Sequence, residues 1–181
     1  ALSLDPIVYP CPKGGSRFRD EVKAKGGKYQ FPFLVDPNTG VSMYESADIA
    51  KYLFRQYGNG DVPWYLGQRS FAVSTSMLAS GFRPGRGRRV VSSHQPEKLL
   101  ELYSYEGSPF CRIAREALCE LELPYRLRNV PRRSPSRQGF VSLSGKMQVP
   151  YLRDPNTGVA MFESADIRTY LYGTYALAAA S

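Results

Sequence analysis

The sequence predicts an α/β protein made of two tandem copies of one small domain. The main observation is an internal repeat: residues 28–49 and 146–167 share the pattern K-x-Q-x-P-x-L-x-D-P-N-T-G-V-x-M-x-E-S-A-D-I at a constant offset of 118. Strand-like and helix-like periodicities alternate around the second copy. The chain of 181 residues has room for two domains of roughly 80 to 100 residues each. Two copies this far apart favour tandem domains over a solenoid array.

The region before the second repeat block predicts two strands and one helix. Apolar and polar residues alternate at 99–104 and again at 125–130, which is typical of strands. An apolar stripe at helical spacing predicts a helix from Pro109 to about Leu121. Ser108 and Pro109 have the chemistry of an N-cap followed by a first helical residue.

The repeat block itself predicts a hairpin and a final helix. Two short strands, 149–153 and 159–162, flank the sequence D-P-N-T-G, in which Pro and Gly occupy suitable turn positions. Ser164 is expected to cap a helix that runs to about Tyr175. A short helix at 137–144 completes the order β-α-β-α-β-β-α.

Composition and charge limit the class of protein. Hydrophobic residues make up 43% of the chain, so it can form packed cores and is not disordered. The net charge of +8 is concentrated in arginine clusters at 83–89 and 126–137, which could meet nucleic acid, an anionic membrane or a small anion. Solvated surface charge is the simpler explanation for the first cluster, which lies among Gly and Pro.

Three cysteines and the single His94 argue against a disulfide scaffold and against a zinc site. No run reaches the ~18 apolar residues of a spanning helix. No metal cofactor is therefore expected.

The motifs together carry a resemblance to a known family. Ser108-Pro-Phe-Cys111 opens a helix, Gln148-Val-Pro150 precedes a strand, and Glu163-Ser164 opens the last helix. With this element order, the chain resembles the thioredoxin fold of glutaredoxins and of glutathione S-transferase N-terminal domains. It is most similar to plant and algal plastid proteins that carry two such domains joined by a linker. The resemblance implies two tandem thioredoxin-like domains and a chloroplast location.

The resemblance divides the chain into three parts: a partial domain at 1–60, a linker at 61–98 and a complete domain at 99–181. In the first copy, residues 6–10 align with the second strand and residues 16–24 with the second helix. Nothing corresponds to the first strand and helix, and that strand lies in the middle of the sheet in this fold. Unpaired backbone groups there would be costly. We therefore expect the native chain to continue upstream with a strand and helix, or another segment to fill the gap.

The linker has a composition of its own. A helix is expected over 70–79, too polar to span a bilayer, with apolar residues that need cover from a domain, a lipid surface or another chain. Residues 64–89 are thus a candidate contact with a membrane surface or with other subunits of an organelle complex. Nucleic acid is not expected as a partner, because no ribonucleoprotein-type aromatic motif accompanies the Gly/Arg-rich segment.

Two prolines are expected to follow cis peptide bonds. Phe31-Pro32 and Val149-Pro150 resemble the cis-proline step of the family, where the preceding residue pairs with the cysteinyl backbone of glutathione. The alternative is a strand-initiating Pro that removes an edge donor. The recurrence of the same Pro in the same context favours cis.

Two helix starts are candidate anion sites. Glu163-Ser164 resembles the pair that binds the γ-glutamyl end of glutathione, and Gln148 joins this predicted ligand set. Glu45-Ser46, with Phe31-Pro32, forms a degenerate first-copy site. A hydroxyl and amides at a helix N-terminus attract a carboxylate. The alternative is that each Ser acts only as an N-cap, and both roles are compatible.

Ser108 and Cys111 are the candidate catalytic residues. The resemblance puts Ser108 at the nucleophilic position of glutaredoxins, where a serine cannot form a mixed disulfide. Cys111, at the second-cysteine position, is expected to be exposed, with its pKa lowered by the helix dipole. The alternative is an inert thiol that turns inward. Cys119 is expected in the core, and Cys11 has either a redox role or none.

Two functions fit these residues. One is a glutathione-binding, glutaredoxin-like thiol redox protein of an organelle, acting on glutathione or a glutathionylated protein. The other is a non-catalytic subunit or assembly factor of a chloroplast complex that keeps the fold without the thiol chemistry. The serine at the nucleophile position favours the second, whereas the repeated Pro and Glu-Ser motifs favour the first. Whether the chain is a glutathione-dependent oxidoreductase or transferase stays open at this level.

Overall fold

The computed structural model describes residues 2–60, 89–131 and 134–178. The chain folds into two compact units. The C-terminal unit comprises Ser3–Arg17 and Arg86–Ser181, and the N-terminal unit comprises Phe18–Gly85. Both contain helices and antiparallel strands in the order of the repeat. The fold is therefore α/β, with two tandem thioredoxin-like domains, as the sequence predicts.

The described elements follow the predicted order closely. In chain order they are β1 (Ile7–Val8), α1 (Arg19–Gly26), β2 (Phe33–Asp36), β3 (Val41–Tyr44), α2 (Ser46–Tyr57), β4 (Leu100–Ser104), α3 (Pro109–Glu120), β5 (Tyr125–Asn129), α4 (Ser136–Ser144), β6 (Tyr151–Arg153), β7 (Ala160–Phe162) and α5 (Ser164–Tyr175). In the second copy, every predicted strand and helix is present, with bounds that differ by one or two residues.

The sheet of the C-terminal unit has the strand order β1-β5-β4-β6-β7. The central strand β4 runs parallel to β5 and antiparallel to β6. This arrangement confirms that the first strand of the copy lies between its second and third strands. β7 then pairs with β6 across the predicted hairpin.

The core of the C-terminal unit lies on both faces of this sheet. Along β4, Leu100 and Leu102 are fully buried, in alternation with the half-buried Glu101 and Tyr103. The leucine face packs against buried apolar residues of α3 and α5. On the other face, Phe140 of α4 joins a smaller aromatic cluster with Tyr103. These two layers hold β4 and the starts of α3 and α5 in place.

The N-terminal segment pairs with a different sheet from the one expected. Residues 6–10 were predicted to form the second strand of the first copy, but Ile7 and Val8 of β1 pair antiparallel with Arg126 and Tyr125 of β5. The amide of Leu127 also donates to the carbonyl of Pro6 at 2.9 Å. The outer edge of β5 offers backbone donors and acceptors, and β1 satisfies them.

The sheet of the N-terminal unit contains β2 and β3 among the described residues. Its counterpart strands β6 and β7 pair in the same register, but β6 also pairs with β4. No described residue takes the place of β4 beside β2. Consistent with this, α2 has one buried residue, Ala47, whereas α5 has four.

Most of the predicted linker lies outside the described residues, including the helix expected over 70–79 and all but the last residue of the contact surface at 64–89. Its described end, from residue 89 onward, packs on the C-terminal unit. The amide of Val91 donates to the carbonyl of Glu120, and Ser93 pairs with Ala176. No helix among the described residues has the length and apolarity needed to cross a bilayer.

A buried aspartate joins the D-P-N-T-G hairpin of the second copy to its last helix. Asp154 is 1% exposed and accepts hydrogen bonds from the hydroxyls of Tyr170, at 2.7 Å, and Tyr175. The amide of Asn156 donates to the other carboxylate oxygen at 2.8 Å. Burial alone raises the pKa of Asp154, but the hydrogen bonds from the tyrosines and Asn156 outweigh it and hold the pKa below its ordinary value.

The first copy repeats this arrangement. Asp36 accepts from the hydroxyls of Tyr52, at 2.6 Å, and Tyr57, at 2.7 Å, and the amide of Asn38 donates to it at 3.0 Å. Hydrogen bonds from the two tyrosines lower the pKa of Asp36. The repeated aspartate is thus part of the scaffold in both copies.

Candidate functional site

The strand register of the C-terminal unit brings three chain segments to one edge of the sheet. Tyr103 of β4 is paired with Tyr151 of β6, and Tyr151 is paired with Phe162 of β7. The residues just beyond these pairs are therefore neighbours: the loop that leads from β4 to α3, the proline before β6, and Glu163 before α5. The structure thus brings the predicted site segments of the second copy together.

Both predicted proline steps are cis. The peptide bonds Phe31-Pro32 and Val149-Pro150 have the cis configuration. In the second copy, Pro150 is buried and Val149 is half-buried directly before β6. The prediction from the repeated context is confirmed in both copies.

A Gln–Glu pair stands beside each cis-proline. The Nε2 of Gln148 donates to the Oε1 of Glu163, and the Nε2 of Gln30 donates to the Oε1 of Glu45 at 2.5 Å. Glu163 and Glu45 have φ angles of 64° and 71°, a region that residues other than glycine rarely adopt. Such backbone conformations persist only where the surrounding structure holds them. Both copies have this positive φ angle and the same Gln–Glu hydrogen bond, so the arrangement is a structural feature of the repeated domain.

The prediction that Ser164 caps the last helix is wrong. Ser164 is the first residue of α5 and is buried, and the N-cap position belongs to Glu163, whose side chain makes no capping hydrogen bond. The same displacement by one residue occurs at Glu45 and Ser46. Because the structure shows no capping bond from the side chain of Glu163, the amides of the first turn of α5 can bind an anion.

Ser108 behaves as predicted at the start of α3. It is the N-cap, with extended backbone angles, and its Oγ accepts a hydrogen bond from the amide of Cys111 at 3.4 Å. Pro109 follows as the first helical residue. Ser108 is half-exposed, so its hydroxyl can also face a ligand at the site edge.

The expectation that Cys111 is exposed is wrong. Its side chain is 0% exposed, and the amide of Tyr105 donates to its sulfur at 3.5 Å. Cys111 lies on the same face of α3 as the buried Ala114 and Leu118, at helical spacing, and this face packs against the sheet. The exposed residue of this turn is its neighbour Phe110, at 60%. The motif thus presents a hydroxyl and an aromatic ring, with the thiol turned inward.

Two polar groups near this edge were not singled out from the sequence. The hydroxyl of Ser104, at the end of β4, is buried and has no hydrogen-bond partner among the described residues. The strand alternation that buries Leu100 and Leu102 would have indicated this inward position. The ammonium of Lys146 lies 4.3 Å from the ring centroid of Phe162, which directly precedes Glu163. The sequence could have pointed to Lys146, because it is the repeated lysine of the K-x-Q-x-P pattern.

Within the arginine cluster at 126–137, the structure shows the partners of Arg128 and Arg137. Arg128 forms ion pairs with Asp5, at 2.9 Å, and Glu101, at 2.6 Å. These carboxylates, Asp5 first, raise the pKa of Arg128 despite the opposing effect of burial. The guanidinium of Arg137 donates to the carbonyl of Pro131 at 2.9 Å. The two arginines at 132–133 lie outside the described residues.

Comparison with known proteins agrees with this geometry. A family model described as the N-terminal domain of glutathione S-transferase matches residues 2–61 and 102–179. The chain belongs to the glutathione S-transferase N-terminal domain family. The two matches confirm the tandem arrangement, one on each copy of the repeat. A search among curated proteins and another among solved structures gave no match.

In this family member the two copies differ at the site. The first copy keeps cis-Pro32 and the Gln30–Glu45 pair, but no described residue corresponds to Ser108. The second copy has all three segments. No group of three or more potential metal ligands occurs among the described residues.

Proposed function

We propose that the C-terminal unit binds glutathione at the edge formed by Ser108, Val149-Pro150 and Glu163-Ser164. The observation that carries this proposal is the Gln148–Glu163 pair beside the uncapped start of α5. It provides a carboxylate for an ammonium group and backbone amides for a carboxylate. Those are the two charged groups of a γ-glutamyl moiety. Family membership supports the same ligand.

The remaining parts of the site fit the rest of the tripeptide. Val149 is half-buried and directly precedes β6, where its backbone can pair with an extended peptide in the manner of a short strand. The hydroxyl of Ser108 lies at the N-terminus of α3, where the helix dipole favours negative charge. In that position it would stabilise the thiolate of bound glutathione by hydrogen bonding.

The burial of Cys111 decides which chemistry we propose. A thiol with no exposed surface cannot attack a disulfide in this conformation, and a serine cannot replace it in a dithiol cycle. We therefore propose glutathione binding, with thiolate stabilisation by Ser108, in place of a cycle that depends on Cys111. Glutathione binding without a thiol cycle is compatible with a non-catalytic subunit or assembly factor. The resemblance to plastid proteins favours a chloroplast location.

Calorimetry with a matched pair of variants tests the proposal. Glu163→Gln keeps the shape of the side chain but removes its charge, and should weaken glutathione binding by at least about tenfold, the loss typical of a hydrogen bond to a charged group. Glu45→Gln makes the same change in the first copy and should change the affinity by less than about twofold. Cys111→Ser should leave the affinity unchanged.

A second measurement concerns the sulfur. In Ser108→Ala, the ultraviolet thiolate absorbance of bound glutathione should fall, while the Kd changes little. Absence of binding heat at millimolar glutathione would overturn the proposal. So would equal losses of affinity in Glu163→Gln and Glu45→Gln, because the site would then not lie in the second copy.

A further inference from the structure

The N-terminal segment Ser3–Arg17 is held on the C-terminal unit at two places. Its first part forms β1, which pairs with β5 through Ile7 and Val8. The carbonyl of Pro6 also accepts from the amide of Leu127 at 2.9 Å. This part of the segment therefore lies along the edge of the sheet.

The second attachment lies at the turn that follows α3. The amide of Arg17 donates to the Oε1 of Glu122 at 3.3 Å, and its guanidinium donates to the carbonyl of Ser93 at 2.8 Å. Gly15 is buried so closely against this turn that an added Cβ would lie 2.4 Å from the same Glu122 oxygen. The chain is thus fixed on both sides of Cys11.

These two attachments place Cys11 near the turn that follows α3, and Cys119 lies in the last turn of that helix. Val8 is paired with Tyr125, and the amide of Arg17 donates to Glu122, so the chain that contains Cys11 runs past this turn. The amide of Glu122 donates to the carbonyl of Cys119 at 3.1 Å. Both cysteines are partly buried, and Cys11 lies between the buried Pro10 and Pro12.

Electrostatics agrees with this placement. Burial raises the pKa of Cys119 to about 11, and the next largest cause is the negative charge that Cys11 would carry as a thiolate. This contribution indicates that the two side chains lie in the same part of the C-terminal unit. Cys111 has no exposed surface and is not a competing partner.

We propose that Cys11 and Cys119 form a reversible disulfide by exchange with a small-molecule disulfide such as glutathione disulfide, and that this bond fastens β1 to the sheet of the C-terminal unit. The exchange has two steps. The Cys11 thiolate attacks one sulfur of glutathione disulfide, which forms a mixed disulfide and releases one glutathione thiolate. The Cys119 sulfur, after loss of its proton, attacks the Cys11 sulfur and releases the second. Both cysteines are oxidised, and one glutathione disulfide is reduced to two glutathione molecules.

The order of attack follows from the two environments. Because the Cys119 thiol is protonated at neutral pH, it is a poor first nucleophile, and Cys11 reacts first. Neither step uses Ser108 or Glu163. The inference therefore does not depend on the proposed glutathione site.

The consequence concerns how firmly β1 is attached. Among described residues, β1 has two residues in register with β5, so it can leave the edge by local opening. A bond from Cys11 to Cys119 would tie the chain directly beside that pairing. Oxidation would then close the sheet edge at β5, and reduction would make it accessible again.

Mass spectrometry of the full chain tests the bond. After incubation with glutathione disulfide and alkylation under denaturing conditions, the wild-type protein should carry one alkyl group, on Cys111, where the fully reduced protein carries three. A non-reducing peptide map should show Cys11 linked to Cys119. Cys111→Ser is the matched control and should form the same link. Glu163→Gln should form it too, which separates this inference from the glutathione site.

Single variants identify the intermediate. Cys119→Ser should stop at a stable glutathione adduct on Cys11, whereas Cys11→Ser should react much more slowly. A wild-type protein that accumulates separate glutathione adducts, links Cys111, or joins two chains would overturn the proposal. So would a wild-type protein that stays fully reduced.

Hydrogen exchange tests the effect on β1. The amide of Leu127 donates to Pro6, so its exchange should slow by about tenfold or more in the oxidised wild type relative to the reduced protein. Cys119→Ser should show no such change under the same treatment. Equal exchange in oxidised and reduced wild type would contradict the fastening of β1.

Discussion

Replacing Asp154 by Asn should strongly destabilise the C-terminal unit. The carboxylate is 1% exposed and accepts from the hydroxyls of Tyr170 and Tyr175 on one oxygen. Asparagine keeps the side-chain volume and the hydrogen bonds with Asn156. In place of the oxygen that accepts from the two tyrosine hydroxyls, however, it has an NH2 group, which is a donor. Hydrogen bonds to a charged group are worth about 1.5–3 kcal/mol each. Because the tyrosine hydroxyls can rotate and accept a hydrogen bond from this NH2 group, we expect the free energy of unfolding to fall by an amount near the lower bound for two bonds, about 3 kcal/mol.

The measurement is urea unfolding followed by far-ultraviolet circular dichroism. With a slope of about 1.5 kcal/mol per molar urea, a loss of about 3 kcal/mol lowers the midpoint of the C-terminal unit by about 2 M. Asp36→Asn is the matched control in the first copy and should leave that midpoint unchanged, since Asp36 belongs to the other unit. A shift below about 0.3 M in Asp154→Asn would refute the reasoning, because the carboxylate would then contribute no more than a surface group.

The pH dependence provides an independent check on the same residue. The folded-state pKa of Asp154 lies below its ordinary value. The stabilisation is therefore complete above the unfolded pKa, near 4, and is lost as the pH falls through the lower folded pKa. The stability difference between the wild type and Asp154→Asn should be constant from about pH 7 to pH 5 and should shrink below about pH 4. A difference that grows on acidification would contradict the assignment.

Two further predictions concern the last helix of each copy. Gly173→Ala should stabilise the protein by about 0.5–1 kcal/mol in urea unfolding, because the residue lies inside α5. Apart from its chain neighbours and the backbone of α5 itself, no atom of the described residues lies within 4 Å of an added Cβ, and a loss of stability would contradict this. Ile167→Ala should cost about 2–5 kcal/mol because Ile167 is fully buried, whereas the equivalent Ile49→Ala should cost less than half as much because Ile49 is partly exposed. Equal costs in the two unfolding transitions would mean that Ile49 is covered as well as Ile167.

The element order of the second copy could be predicted because its signals are local. The alternation at 99–104, the stripe in α3 and the D-P-N-T-G turn depend on residues a few positions apart. The cis-prolines were also predictable, because the same sequence context occurs twice. The N-cap of α5 is Glu163, one position before the predicted Ser164. The positive φ angle of Glu163 sets this helix start, and the sequence gives no sign of it.

The orientation of side chains at the site was less predictable. The S-P-F-C motif places Ser108 and Cys111 in one helical turn, but the sequence left open which of them faces the ligand. The position of the apolar stripe in α3 would have indicated that Cys111 lies on the buried face with Ala114 and Leu118. A family pattern of reactive cysteines at this position led to the opposite expectation. The ion pair between Arg128 and Asp5 could likewise not be predicted, because the two residues are more than a hundred positions apart in the sequence.

The sequence by itself determined the α/β class, the two copies, the strand and helix order of the second copy and the segments that form the candidate site. Periodicity and turn chemistry depend on neighbouring residues, and the repeat can be recognised by comparing two stretches of the sequence directly. The tertiary structure decided that β1 pairs with β5 and that Asp5 forms an ion pair with Arg128. Each of these depends on which distant surfaces meet, and residues so far apart in the chain carry no shared local pattern from which such contacts could be predicted.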